Sequence, residues 1–233
     1  MKKLSVKRSE CKYYLDIATA SMLRKKLDKI LKRDENSKIK SYMVRSVYFD
    51  SLNNVDFYTK LAGTSNRKKI RLRVYDFNSS KCKLEIKKKE NDLQRKISLW
   101  ITKEDASELL KGKYKVLRKY FKEHSDAIYM YHLMVNGCYR PVAMIEYNRI
   151  AYTYRLYDTR ITFDMNIKSS ESNFNLFDKK PLYTSILNDK IVLEVKFNGE
   201  LINFISDILK PFNLTRLAIS KYCLGRKNFY YFE

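Results

Sequence analysis

From Tyr42 to Tyr75 the chain reads YMVRSVYFDSLNNVDFYTKLAGTSNRKKIRLRVY. Its last part, Lys69-Ile70-Arg71-Leu72-Arg73-Val74-Tyr75, alternates cations with apolar residues, which predicts a strand with Lys69, Arg71, Arg73 and Tyr75 on one face. A lone strand of this kind would turn its charges to water, the ordinary arrangement in an antiparallel sheet. Here the design recurs. Cys82 to Lys89, CKLEIKKK, sets Cys82, Leu84 and Ile86 against Lys83, Glu85, Lys87 and Lys89. Near the end, IVLEVKF sets Ile191, Leu193, Val195 and Phe197 against Val192, Glu194 and Lys196.

Outward from these strands, Ser5 to Leu15 alternates as a strand with Val6, Arg8, Glu10, Lys12 and Tyr14 on one face. Thr19 to Arg33 has the helical spacing of Leu23, Leu27, Ile30 and Leu31, with lysines outside, and reads as a covering helix. Tyr42 to Asp50 is a strand, Ser51 to Asn54 a turn, and Leu61 to Asn66 the reversal before the cationic strand. A third pass, Gln94 to Trp100, follows the turn at Glu90-Asn91-Asp92. Thr102 opens a helix with Asp105 at the capping position, and Ser125 to Val135 forms another, ending at Asn136-Gly137.

Beyond Pro141 two or three strands follow, with Ile145, Tyr147 and Arg149 on one face and, further on, Arg160, Thr162 and Asp164 on one face. Lys168 to Lys180 reads as a loop. Asn198-Gly199 turns the chain into a helix carrying Leu201, Phe204, Ile205, Ile208 and Leu209, which Pro211 ends, and a final helix runs from Leu214 to Leu224, stopped by Gly225. About eight or nine strands with four or five helices, and no β-α-β alternation, predict an antiparallel α+β fold. Charged faces on nearly every strand make sense if the sheet closes into a barrel with a polar bore and the helices pack outside.

With 233 residues, 45% of them hydrophobic, one compact domain over residues 1–233 suffices. The net charge of +22, from 48 Lys plus Arg against 26 Asp plus Glu, exceeds what solubility requires and calls for a polyanionic partner. Four scattered cysteines and two histidines argue against a zinc site or a disulfide framework and fit reduced thiols. With 5 Gly and no GxxxxGK or GxGxxG, any nucleotide must be held by side-chain cations. The N-terminal lysines precede no apolar run, and no stretch approaches the ~18 apolar residues of a membrane span. A cytoplasmic protein is expected.

RSECKYY, SVYFDS, YTKLAGTSNRKKIRLRVY, LEIKKK, IEYNRIAY, RITFD, VLEVKF and ISKYCLG, in this order from Lys7 to Gly225, resemble the VTC (vacuolar transporter chaperone) catalytic domain. This is the polyphosphate polymerase branch of the CYTH, or triphosphate tunnel metalloenzyme, superfamily. The resemblance implies a closed antiparallel barrel of about eight strands that transfers the γ-phosphoryl group of ATP to an inorganic polyphosphate chain and releases ADP. It further implies that Lys12, Arg71, Arg73, Lys87, Tyr147 and Arg149 hold phosphate oxygens. Ser220 and Lys221 reach them from the last helix, and Glu194 binds a divalent metal, Mn²⁺ or Mg²⁺. A further cation is expected from Arg95 or Lys96. Arg71, Arg73, Arg149 and Lys221 take the catalytic roles.

The superfamily's E-x-E-x-K signature has Arg8 in place of its first glutamate here, leaving Glu10, which then serves as a partner for the cations. Two other activities share the pattern: a triphosphatase acting on tripolyphosphate or nucleoside triphosphates, and a non-catalytic module that binds polyphosphate or nucleotides. A nucleic-acid binder is disfavoured, because cations that alternate into a bore are closed to a duplex. ATP and polyphosphate are the expected partners; the charge also permits a membrane or membrane-protein partner.

Overall fold

The computed structural model describes residues 8–37, 41–91 and 93–230, the side chains of 228–230 excepted. Ser5, Val6, Lys7 and Asp92, named above, lie outside the described residues. The chain divides into two compact units, the first formed by Met1–Met43, Tyr147–Ile167 and Leu187–Ser220, the second by Val44–Glu146, Lys168–Ile186 and Lys221–Glu233.

In the first unit, strand β1 (Arg8–Leu15) leads into helix α1 (Ile17–Asp28), whose first turn is capped by the Asp16 carboxylate on the Thr19 amide. The helix ends five residues earlier than its periodicity suggests, and Lys32–Arg33 forms the short strand β2. As a result Leu31 is buried, whereas Ile30, expected on the inner face, is 53% exposed. Leu23 and Leu27 of α1 join Leu15, Ile161, Phe163, Leu193 and Val195 in one core. The chain returns along β10 (Ile191–Asn198), and Gly199, at φ +68, makes the turn towards α5 (Asn203–Leu209), whose Ile205 and Leu209 close that core.

In the second unit, β3 (Tyr42–Asp50), β4 (Arg67–Val74), β5 (Lys81–Glu90) and β6 (Leu93–Thr102) pair antiparallel in succession. Ile70, Leu72, Leu84, Ile86, Ile97 and Leu99 are buried on one face. Helices α3 (Lys103–Leu110) and α4 (Ser125–Asn136) pack on that side, contributing Ala106, Leu109, Ala127, Met130 and Met134. Thr102 caps α3 by accepting the Asp105 amide, as its spacing predicts.

One short helix, α2 (Val55–Leu61), follows the Ser51–Asn54 turn and has no counterpart in the sequence reading. Asp50 holds its start, accepting the amides of Asp56 and Phe57 at 2.9 Å. Strand β7 (Arg140–Tyr154) and strand β8 (Thr159–Ser170) contribute to both units, and the two-residue β9 (Thr184–Ser185) pairs with β8. The strand expected to end before Lys168 therefore runs on to Ser170.

Hydrogen bonding orders the main strands β1-β10-β8-β7-β3-β4-β5-β6. The α+β class holds, but the expected closed barrel does not: the path ends at β1 and β6, and no pairing joins them among the described residues. Two-residue periodicity reports which side chains share a face and carries no information on whether end strands meet.

The final helix also differs. Residues 213–220 are not helical, and α6 spans Lys221–Tyr230, passing through Gly225. A Cβ at Gly225 would stand 2.4 Å from Ile145 Cδ1 and 3.1 Å from Ser169 Cβ, so this glycine permits close packing within the second unit instead of stopping a helix. No helix of the described residues is long and apolar enough to cross a membrane.

Candidate functional site

The strand register of the second unit builds a grid of cations. Arg73 stands opposite Ser46 on one side and Lys83 on the other, Arg71 opposite Tyr48 and Glu85, and Lys69 opposite Lys87, which in turn faces Lys96. Across β4, β5 and β6 this face carries one acid, Glu85, which is 2% exposed. Its Oε2 accepts Arg71 Nε at 2.8 Å and lies 3.6 Å from Arg73 Nη1, while Lys96 Nζ reaches Oε1 at 2.5 Å. Burial pushes the pKa of this carboxyl up, but Arg71, Arg73 and Lys96 outweigh burial and hold it down to about 2.

Tyr48 belongs to the same grid: its hydroxyl accepts Arg71 Nη1 at 3.2 Å. Burial would raise its pKa, yet the charges of Arg71, Arg73 and Lys69 lower it to about 8. Its ring stacks on Tyr222 of α6 at 5.1 Å, and Lys69 Nζ lies 6.0 Å from the Tyr222 centroid. The Tyr222 hydroxyl donates to Asp50, so the first turn of α6, with Lys221, is fixed beside Lys69 and Tyr48.

Lys96 and Arg95 part company here. Lys96 shares the face of Lys87 and Arg71, whereas Arg95 is in register with Lys88 on the other face and pairs at 3.5 Å with Asp126 of α4. The alternative left open by the sequence is resolved by strand alternation in favour of Lys96 as the residue on the cationic face.

The first unit has a polar face of different composition. Lys12 is opposite Glu194, which is opposite Thr162, and Glu10 is opposite Lys196, which is opposite Arg160. Lys12 Nζ contacts Glu10 at 2.8 Å and donates to the Ile219 carbonyl at 3.2 Å, which brings the segment carrying Ser220 to β1. Arg149 forks onto Asp164, with Nε to Oδ1 at 2.6 Å and Nη2 to Oδ2 at 2.8 Å, and stands 3.8 Å from Glu194. Its guanidinium lies 5.2 Å from the centroid of Tyr147. Lys196 reaches Glu194 at 2.9 Å.

Charges in this unit balance locally. Burial lowers the Lys196 ammonium below its ordinary pKa, and the opposing pull of Glu194 and Glu10 does not restore it. Burial and the adjacent Glu194 carboxylate both raise Glu10, but Lys12 and Lys196 prevail and leave it below the usual value. Arg149 is raised: burial opposes its charge, and Asp164 and Tyr147 outweigh that cost.

A divalent cation is chemically compatible with this face. Glu10 and Glu194 lie within hydrogen-bonding reach of each other, and the Thr162 hydroxyl opposite Glu194 is buried with no hydrogen-bond partner among the described residues. These are hard oxygen donors of the kind Mg²⁺ and Mn²⁺ accept, and one or two carboxylates suffice where substrate oxygens complete the shell. Among the described residues no group of three His, Cys, Asp or Glu is arranged around one point.

The named residues thus fall into two sets: Arg71, Arg73, Lys87, Lys96 and Lys221 in the second unit, and Lys12, Tyr147, Arg149, Glu194 and Ser220 in the first. Sequence reasoning gave no role to Glu85, Tyr48, Lys196 or Asp164. The signal for Glu85 was present, as a single acid inside an alternating run of lysines; that for Asp164 was its shared face with Arg160 and Thr162.

The model of the VTC domain family matches residues 7–230. No curated protein sequence matches. Among solved structures, HpAC1 from Hippeastrum, an adenylyl cyclase candidate described as having a dominant triphosphatase activity, aligns with a TM-score of 0.57 at 13% identity, covering 94% of this chain and 96% of that one. An adenylate cyclase candidate from Bacillus halodurans aligns at 0.52 and 14% identity, over 92% of this chain and 95% of its own, which extends the likeness of fold. With the family model covering nearly its whole length, the chain belongs to the VTC domain family.

Proposed function

We propose that the chain is a polyphosphate polymerase that acts as a single catalytic domain in the cytoplasm, moving the γ-phosphoryl group of ATP onto inorganic polyphosphate. The observation that carries this reading is the register row Lys69–Lys87–Lys96 beside Arg71 and Arg73, with Glu85 the one acid on that face of β4, β5 and β6. Like charges in direct opposition are unfavourable unless an anion lies over them, and polyphosphate supplies that anion. Membership of the VTC family supports the same substrate class.

In this mechanism a terminal phosphate oxygen of the chain attacks the γ-phosphorus, a P–O bond forms, and the bond to the bridging oxygen of ADP breaks. The nucleophile is ionised at neutral pH, so no general base is required. On the second unit Arg71 and Arg73 stabilise charge on the transferring group, with Lys221 as a further catalytic cation and Lys87 and Lys96 as binding groups; the family resemblance gives Arg149 a catalytic role and Lys12, Tyr147 and Ser220 binding roles. Arg95, on the opposite face of β6, has no place in this set. Mn²⁺ or Mg²⁺ would be held by Glu194 with Glu10 beside it, and when bound supplies neutralisation of phosphate oxygens.

A second reading, hydrolysis of tripolyphosphate or nucleoside triphosphate, draws support from the triphosphatase activity described for the Hippeastrum protein of similar fold. Incubation with ATP and Mn²⁺ or Mg²⁺, followed by separation of ADP, orthophosphate and polyphosphate, decides between them. ADP with lengthening chains is the expected result. ADP with stoichiometric orthophosphate makes the protein a triphosphatase, and bound ATP without turnover makes it a binding module.

A further inference from the structure

Trp100 is the one tryptophan of the chain and is 52% exposed. Its neighbours in β6 fix its direction: Ile97, Leu99 and Ile101 are buried on the helix side, so alternation sends Trp100 to the face of Ser98 and Lys96. It is in register with Lys83, and Lys83 is in register with Arg73. The indole therefore belongs to the cationic grid and not to the hydrophobic core. Half of so large an aromatic group left in water, roughly 100 Å² of ring surface, is an unsatisfied demand for a flat apolar partner.

Distance and charge specify that partner. Two strand spacings separate Trp100 from Arg73, roughly 10 Å along the sheet, a gap that the sugar and first phosphate of a nucleotide bridge. Lys83 Nζ lies 5.0 Å from the indole centroid, so one ring face has a cation and the other is left for a second aromatic plane. A bare phosphate chain has no group that uses such a surface, whereas a nucleoside triphosphate carries a base at one end and its phosphates at the other.

We propose that Trp100 is a nucleobase platform: it stacks on the base of a nucleoside triphosphate whose phosphates engage Arg71, Arg73 and Lys96. This rests on the reading that the grid binds phosphate. It goes further in saying which end of the substrate points towards β6, and why a nucleotide is distinguished from polyphosphate on the same strands. Stacking tolerates any base, since each presents a π-face, so ATP and GTP bind comparably.

A single tryptophan makes the test direct. Selectively excited fluorescence is followed while ATP, and separately tripolyphosphate, is added to the full chain without metal, and affinities are measured by calorimetry for the wild type, Trp100→Ala and Trp100→Phe. ATP is expected to quench Trp100, with tripolyphosphate binding but leaving the emission nearly unchanged. Trp100→Ala weakens ATP roughly 5- to 100-fold, the range for loss of one base–aromatic stack, and leaves tripolyphosphate unaffected. Trp100→Phe, which keeps a ring, retains most of the ATP affinity, and circular dichroism confirms that both variants fold. If tripolyphosphate binds while Trp100→Ala leaves ATP affinity intact, or weakens both ligands equally, the platform is wrong and the phosphate grid stands. If neither ligand binds the wild type, the phosphate reading falls and takes the platform with it.

Discussion

The two polar faces use the same residue types to opposite ends. On the first unit, Lys12, Lys196 and Arg149 each meet an acid within 3.0 Å, namely Glu10, Glu194 and Asp164. On the second, Arg71, Arg73 and Lys96 converge on one carboxylate, that of Glu85. Where acids match cations, the face is close to neutral, and Glu10 and Glu194 lie near enough to each other to offer oxygens to one cation. Where one acid serves several cations, the face retains positive charge that an anion satisfies. The contrast separates two tasks that net charge alone merges.

The largest expected effect tests the second face. Arg73→Ala or Arg71→Ala should lower turnover about 10²- to 10³-fold, the usual consequence of removing one preorganised charge from a transition-state site. Circular dichroism should change little, because Glu85 keeps two of its three cations in either variant. Full activity in either would remove the cationic grid from the reaction.

On the first face, Glu194→Gln should cost metal-dependent turnover roughly 10²-fold, with tripolyphosphate affinity measured without metal nearly unaltered. An equal loss of metal-free tripolyphosphate affinity would mean that Glu194 organises cations instead of holding a metal, and the contrast between the faces would blur.

Glu85 offers a smaller, sharper test. Its depressed pKa contributes stability that is present above about pH 4.5 and disappears as pH falls towards 2, because the unfolded carboxyl takes up its proton first. Lys96 is half exposed and Arg71 a quarter exposed, so screening reduces the contribution to about 2 kcal/mol. Glu85→Gln should therefore shift the urea midpoint down at pH 7 and much less at pH 3, while tightening tripolyphosphate binding by removing a competing anion. Weaker binding in this variant would show that Glu85 orients the arginines more than it competes with phosphate.

Much of this contrast was legible in the residues themselves. Tyr42–Asp50, dense in aromatic and β-branched side chains, forms a strand with the bounds its composition suggests, and period-two alternation places Arg71, Arg73, Lys87 and Glu194 on polar faces. What escaped depends on contacts distant in sequence. Gly225 has the local signature of a helix stop, but its role is set by Ile145 and Ser169. Helix α2 has only seven residues and a left-handed Asn54 at its start, and it is held by Asp50 at the end of the preceding strand, so no amphipathic repeat announces it. The choice between Arg95 and Lys96 needed the register with Lys87 and Lys88, which no single strand contains. The open ladder follows the same logic, since its ends are properties of pairing.

The smallest effect reads the potential of the second face directly. With its pKa lowered to about 8 by Arg71, Arg73 and Lys69, which prevail over burial, Tyr48 becomes a phenolate as pH rises through that value and cancels part of the cationic field. Tripolyphosphate affinity should fall about 3-fold between pH 7 and pH 9 in the wild type beyond any fall in Tyr48→Phe, a modest change because salt screens the added charge. Linkage requires the converse: a bound polyanion must raise the Tyr48 pKa, and the phenolate absorbance assigned by difference from Tyr48→Phe should move to higher pH when tripolyphosphate is present. A titration unmoved by tripolyphosphate would place the anion elsewhere, since no polyphosphate can neutralise Arg71 and Arg73 without also changing what Tyr48 senses.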